Sequence, residues 1–336
     1  MIIKFTTQIG YFLAEESYKD EIIESTFKGT RYTFKTNEHT FVFDSSESKL
    51  KTNGYDIIEL DLANVLQFHS ANEEVLGVWS KLDHSKKYFI LWHYGEGMFD
   101  VNNNWKIVLD LGIKVYTSTY MPELANHPNY VYDMVLSFHY FNFLIGSCHI
   151  DRTYSDRVTY PKKYKIGYYG LSSWKQDREN IRNWRYDYID YFDSKSDSIS
   201  FSYPREALYK LSIGLKNPHF STPFDFRECN YFITSETHFN FQPNLPYFTS
   251  EKILKGAWME LLDINMMMIT SPEHMKDLHD AGFWFANSKF IKEYTNKAII
   301  DSLIECYDSN EIIQTNNLAV IDKMLSVNVF KKHNII

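Results

Sequence analysis

Across residues 249–285 the period of the apolar positions changes twice. Ile253, Ala257 and Leu261 recur at helical spacing with Leu254, Trp258 and Leu262 beside them, which predicts a helix buried along a broad face. Residues 265–270 follow as a strand. Its unbroken run Met266, Met267, Met268, Ile269 has no polar face, the pattern of a central parallel strand covered on both sides. Ser271-Pro272-Glu273 restarts a helix with an N-cap and an N1 proline, and Gly282 is placed to end it. Ahead of the first helix Thr249 or Ser250 is a good N-cap. Glu251 and Lys252 therefore fall in the first turn, where free N–H groups and partial positive charge favour anionic ligands.

Upstream the pattern is coarser. The first 50 residues read as strand-rich, with short strands at 32–34 and 40–43. A regular alternation then begins: strand 55–60, helix 72–82, strand 88–92, helix 105–111, and strands 113–117 and 132–137. Residues 151–165 are polar, aperiodic and contain Pro161, which predicts a linker. Strand 165–169, loop 170–175, helices 178–188 and 206–214 and strand 228–234 resume the alternation. Beyond Ser288 helical periodicity runs through Ile291, Tyr294, Ala298, Ile299 and Leu303, and again over 318–325.

A chain of 336 residues is too long for one small core. The pattern predicts an α/β protein of two Rossmann-like domains, 1–150 and 151–336, facing a central cleft, with ligands at the carboxyl ends of the strands. Ser250-Glu251-Lys252, the apolar helix, the buried strand and the small helix with Leu278, Gly282 and Phe283 together resemble the donor-binding segment of fucosyltransferase-like and virus- or phage-type glycosyltransferases. Those families show Thr-Glu-Lys, and here serine replaces the threonine. The resemblance covers some 40 residues (roughly 249–285) closely. It implies the GT-B-like plan, with an acceptor-binding first domain and a nucleotide-sugar-binding second one. It also implies that Glu251 holds the ribose hydroxyls while Lys252 meets the diphosphate. A Glu-Lys pair at a helix start also occurs as solvated charge complementing the helix dipole.

Loops that follow strands supply the remaining candidates. Ser172, Lys175 and Arg178 lie after the strand at 165–169 and suit a diphosphate leaving group. Glu236 and His238 follow the strand at 228–234 and could bind sugar hydroxyls. In the first domain Glu96, flanked by Gly95 and Gly97, is the first candidate for the base that inverting transfer needs; His93 is second and His69 third. Glu59-Leu60-Asp61 is the nearest approach to an Asp-x-Asp metal motif, and no metal is called for. No cofactor is implied, because the nucleotide-sugar is itself the donor substrate.

Composition narrows the partners. Residues 1–150 carry 12 Lys and Arg against 19 Asp and Glu, so the first half does not favour a polyanion at long range. A glycan or lipid-linked acceptor is favoured, with a hydroxymethylated base in DNA as the alternative and a non-catalytic nucleotide- or carbohydrate-binding protein as the second. An oxidoreductase or kinase lacks its Gly-rich fingerprint. Cys148, Cys229 and Cys306 have no paired spacing, and no stretch has the length or flanks of a signal peptide or membrane span, so a cytoplasmic protein is expected.

Overall fold

The computed structural model describes residues 1–49, 51–61, 77, 79–92, 103–147, 161–170, 185–202, 228–236, 247–309 and 311–336. The chain is α/β and divides into two compact units, Met1–Phe143 with Leu325–Ile336, and Leu144–Met324. The first unit contains β1 (Ile2–Phe5), α1 (Gln8–Ser17), β2 (Glu24–Lys28), β3 (Arg31–Lys35), β4 (Thr40–Asp44), β5 (Ile57–Glu59) and β6 (Lys87–Trp92). It continues through α2 (Asn103–Asp110), β7 (Lys114–Thr117), β8 (Thr119–Tyr120), β9 (Tyr130–Tyr132) and into α3 (Val135–Ser147).

Eight of these strands form one sheet in the order β2-β3-β4-β1-β5-β6-β7-β9. The stretch from β4 to β9 is parallel, and β2 and β3 extend it as an antiparallel hairpin. From β1 the chain builds β2, β3 and β4 on one side and then crosses to β5 on the other. The gap between the carboxyl ends of β1 and β5 is therefore the switch point where open α/β sheets bind ligands. On the α1 side an aromatic row crosses four strands, because Phe5 pairs with Phe43, Phe43 with Tyr32 and Tyr32 with Phe27. Phe34 and Phe41 stack beside it at 4.2 Å. Helix α1 sets Tyr11 edge-on to Phe5 and Phe34.

That helix was not expected in a first 50 residues that read as strand-rich. Its apolar run follows β1 after two threonines and looks like more strand; what turns it is Thr7, whose Oγ1 accepts the Gly10 N–H at 3.0 Å. The strand expected over 132–137 also differs: it stops at Tyr132, and Asp133 accepts the Val135 N–H at 3.0 Å to start α3. A long apolar run cannot by itself be assigned to strand or helix.

The second unit holds β10 (Tyr164–Gly170), α4 (Arg185–Asp193), β11 (Ser198–Ser202), β12 (Cys229–Ser235), β13 (Tyr247–Phe248), α5 (Glu251–Trp258), β14 (Asn265–Ile269), α6 (Pro272–Asp280), α7 (Asn296–Asp308) and α8 (Asn317–Leu325). Its sheet, β11-β10-β12-β14, is parallel throughout and has the same winding, second strand beside first and third on the far side. One face packs Ile166, Tyr168, Tyr231, Ile233, Met267 and Ile269 against Phe192 of α4 and Leu303 of α7. On α5, a Cβ at Gly256 would stand 2.1 Å from the Met266 sulfur, so glycine is what permits the close approach of helix to strand. Strand β14 is an edge. Asn287 covers it: its Oδ1 accepts the Met268 N–H at 2.9 Å and its Nδ2 donates to the Met268 carbonyl at 3.1 Å.

This use of Asn287 explains a second difference. The periodicity beyond Ser288 predicts one helix, whereas Ala286–Phe290 is a separate 3-10 turn and α7 starts only at Asn296, capped by Thr295. The last short helix, α9 (Val329–Lys332), belongs to the first unit rather than to a domain running from 151 to the end. Phe330 sets its ring edge-on to Phe5, and Lys332 and His333 each reach Asp133 at 2.6 Å. These partners lie some 200 residues (roughly 199 and 200) apart in sequence, which no local pattern reveals. The helix expected over 206–214 and most of that over 72–82 lie outside the described residues.

Candidate functional site

At the carboxyl edge of the second sheet, β12 ends at Ser235, Glu236 follows it, and α5 begins fifteen residues after Glu236 (roughly 236 to 251). Glu236 is anchored to the neighbouring strand, its N–H donating to the Ile269 carbonyl at 3.2 Å. Its Oε1 accepts the Ser250 N–H at 3.1 Å. Ser250, fully buried, is the cap of α5, and its Oγ accepts the Lys252 N–H at 3.3 Å. Of the sequence candidates, Glu236 and Ser250 are thus in direct contact. Glu251 is the first residue of α5 and Lys252, partly buried, the second. A helix start offers N–H donors and a partial positive charge, which suit phosphate oxygens, and Lys252 lies in the first turn of this one.

Behind it lies a group that sequence reasoning missed. His274 of α6 is fully buried; Nε2 meets Thr249 Oγ1 at 3.0 Å and Nδ1 meets Thr270 Oγ1 at 2.8 Å. Burial pushes its pKa down to about 3, so the ring is neutral. The Tyr247 ring stacks on it with centroids 4.8 Å apart, and the Tyr247 hydroxyl donates to Asp277, also on α6. The segment ahead of α5 is in this way pinned to α6. The available signal was His274 at the third position after the Ser271 cap, on the buried side of an amphipathic helix. Nearby on β12, Thr234 Oγ1 is buried and has no hydrogen-bond partner among the described residues.

The first unit repeats the device at its own switch point. Glu59 ends β5, is fully buried, and accepts the N–H of Thr6 at 3.0 Å, the N–H of Thr7 at 2.9 Å and the Thr7 hydroxyl at 2.7 Å. Burial pushes its carboxyl up to about 8 even though those donors favour the ionised form. Gly10 makes room for it, since a Cβ there would lie 2.3 Å from Glu59 Oε1. Asp61, two residues on, pairs instead with Lys49. The Glu59-Leu60-Asp61 motif is therefore divided between a helix start and a surface ion pair. Glu260 in the second unit is a third instance, accepting the N–H groups of Asn317 and Leu318 at 2.9 Å each to open α8.

His69, His93, Glu96, Ser172, Lys175, Arg178 and His238 lie outside the described residues. Among the described residues no three His, Cys, Asp or Glu side chains gather as a metal site, and no helix is long and apolar enough to cross a membrane. No protein-family model matches the chain, and neither a curated protein nor a solved structure matches it.

Proposed function

We propose that this chain is a glycosyltransferase that moves a sugar from a nucleotide-activated donor to an acceptor hydroxyl, with the donor on the second unit. The observation that carries the reading is the start of α5: Ser250, Glu251 and Lys252 open a helix at the carboxyl edge of a doubly wound parallel sheet, tied there by Glu236. Breaking the bond between the sugar and the diphosphate builds negative charge on the leaving oxygens. In this reading Lys252 and the first-turn N–H groups stabilise it, with Ser172, Lys175 and Arg178 as further cationic and hydroxyl groups. Glu251 serves the ribose hydroxyls, and His238 and Glu236 the sugar side of the pocket. Glu96, with His93 second, takes the acceptor proton.

The allocation of the donor to the second unit has its own support. In the first unit the corresponding helix opens with Gln8-Ile9-Gly10 around the Glu59 carboxyl, without a cation in its first turn. That first turn offers a diphosphate no counterpart of Lys252. The reading takes the two units as acceptor- and donor-binding domains of the GT-B plan. A glycan or lipid-linked acceptor suits the acidic first half, and a modified base in DNA is the second choice.

Release of nucleoside diphosphate from a panel of nucleotide-sugars, with simple glycans and hydroxymethylated DNA offered as acceptors, tests it. Turnover with one donor, reduced at least tenfold in Lys252→Ala and in kcat alone in Glu96→Gln, is the expected result. Binding of a nucleotide with no turnover on any acceptor would turn the reading toward a non-catalytic binding protein. Turnover unaffected by Lys252→Ala would refute the donor site.

A further inference from the structure

We infer that the free edge of the first unit, strand β2, pairs antiparallel with β2 of a second copy of this chain about a two-fold axis through Thr26. All five residues of β2 are exposed, and Phe27 and the preceding Ile23 are 62 % and 63 % exposed. An edge strand of this kind carries a row of N–H and C=O groups available to another chain. The hairpin fixes which ones. Lys28 and Arg31 close the two-residue loop Gly29-Thr30, so they exchange hydrogen bonds with each other, and the alternation of an antiparallel ladder then turns the N–H and C=O of Ser25 and Phe27 outward.

Pairing centred on Thr26 sets Ser25 opposite Phe27 of the second copy, and Phe27 opposite Ser25, so the outward groups bond one another in register. The same register sets Glu24 opposite Lys28 on both sides of the axis. The strand Glu-Ser-Thr-Phe-Lys is complementary to its own reverse. Within the chain Lys28 faces Arg31, a like charge, whereas Glu24 faces Lys35 at 2.7 Å and is half exposed. A carboxylate from the second copy supplies Lys28 with the opposite charge that its own hairpin does not. Opposed charges across strands stabilise a ladder and like charges oppose it. The aromatic row Phe5-Phe43-Tyr32-Phe27 ends at this edge, where the ring of Phe27 lies 4.4 Å from that of Tyr32; pairing covers its exposed end. The contact is isologous, as a two-fold dimer requires.

The test is the mass in solution over a concentration series, by light scattering or sedimentation. The wild type shifts to a dimer as concentration rises. Lys28→Glu places carboxylates opposite each other and shifts the midpoint at least tenfold toward monomer. Exchange of both charges, Glu24→Lys with Lys28→Glu, restores dimer although it breaks the Glu24–Lys35 pair. Ser25→Pro removes an outward N–H without touching the bonds to β3, so it yields monomer with an unchanged melting temperature. A wild type that stays monomeric, or a dimer indifferent to Lys28→Glu and Ser25→Pro, would overturn the inference.

Discussion

Two buried titratable side chains bear opposite relations to pH. Glu59 has a folded pKa near 8, above its ordinary 4.5, so the fold favours its protonated form. The stability this confers is complete below about pH 4.5 and is lost as pH rises toward 8, on the order of a few kcal/mol. Glu59→Gln keeps an acceptor for Thr6 and Thr7 and removes the charge. Denaturation in urea should show the variant gaining on the wild type between pH 6 and 8.5 (roughly the upper part of that window); a constant difference would mean that Glu59 does not titrate there. His274 runs the other way. Its pKa is depressed from 6.5 to about 3 by burial, so its contribution is present above 6.5 and lost as pH falls toward 3. The cost of His274→Asn should therefore shrink on acidification from pH 7 to 4.5 (roughly the range accessible before acid unfolding), and a cost that stays constant would mean that the imidazole takes up its proton at the same pH in the folded and unfolded chain. Glu59 was visible only as part of Glu59-Leu60-Asp61 and His274 not at all, because burial and partner geometry are properties of the assembled site. The cap was legible as Thr249 or Ser250; that it is Ser250, with its N–H donated to Glu236, was not.

Elements with a strong period were legible in type and place. The strands over 88–92, 113–117 and 265–270, the Ser271-Pro272 helix start and the helix after Lys252 all appear within a residue or two of expectation. The misplaced ones share a physical cause. In α1, β9–α3 and the turn at Ala286–Phe290, a single polar side chain decides where an apolar run changes state: Thr7, Asp133 or Asn287. Asn287 also substitutes for a missing strand beside β14, bonding both the N–H and the C=O of Met268 and donating to Ser302 Oγ at 2.9 Å. Asn287→Ala leaves those buried groups unpaired and should destabilise the protein by about 2–4 kcal/mol. Hydrogen exchange checks the location: protection at Met268 should fall more than at Ile166 in the central strand β10. Equal loss at both would mean that the side chain supports the fold globally and not the edge.

At the scale of the chain, two sheets wind in the same order, and each places a glutamate from the end of a strand at the start of a helix: Glu59 before α1 and Glu236 before α5. The α/β class follows from the alternation of periods. The return of Leu325–Ile336 to the first unit rests on contacts between sequence-distant residues and could not. What separates the two helix starts chemically is Lys252, and the central claim depends on it. Calorimetric titration with UDP, GDP, CMP and dTDP, on the wild type and on Glu251→Ala and Lys252→Ala, tests that claim most directly. Binding of one nucleotide, weakened at least tenfold in both variants while their melting temperatures hold, is the predicted result. Failure of all four to bind, or binding that ignores Lys252, would contradict a nucleotide-sugar site at the start of α5.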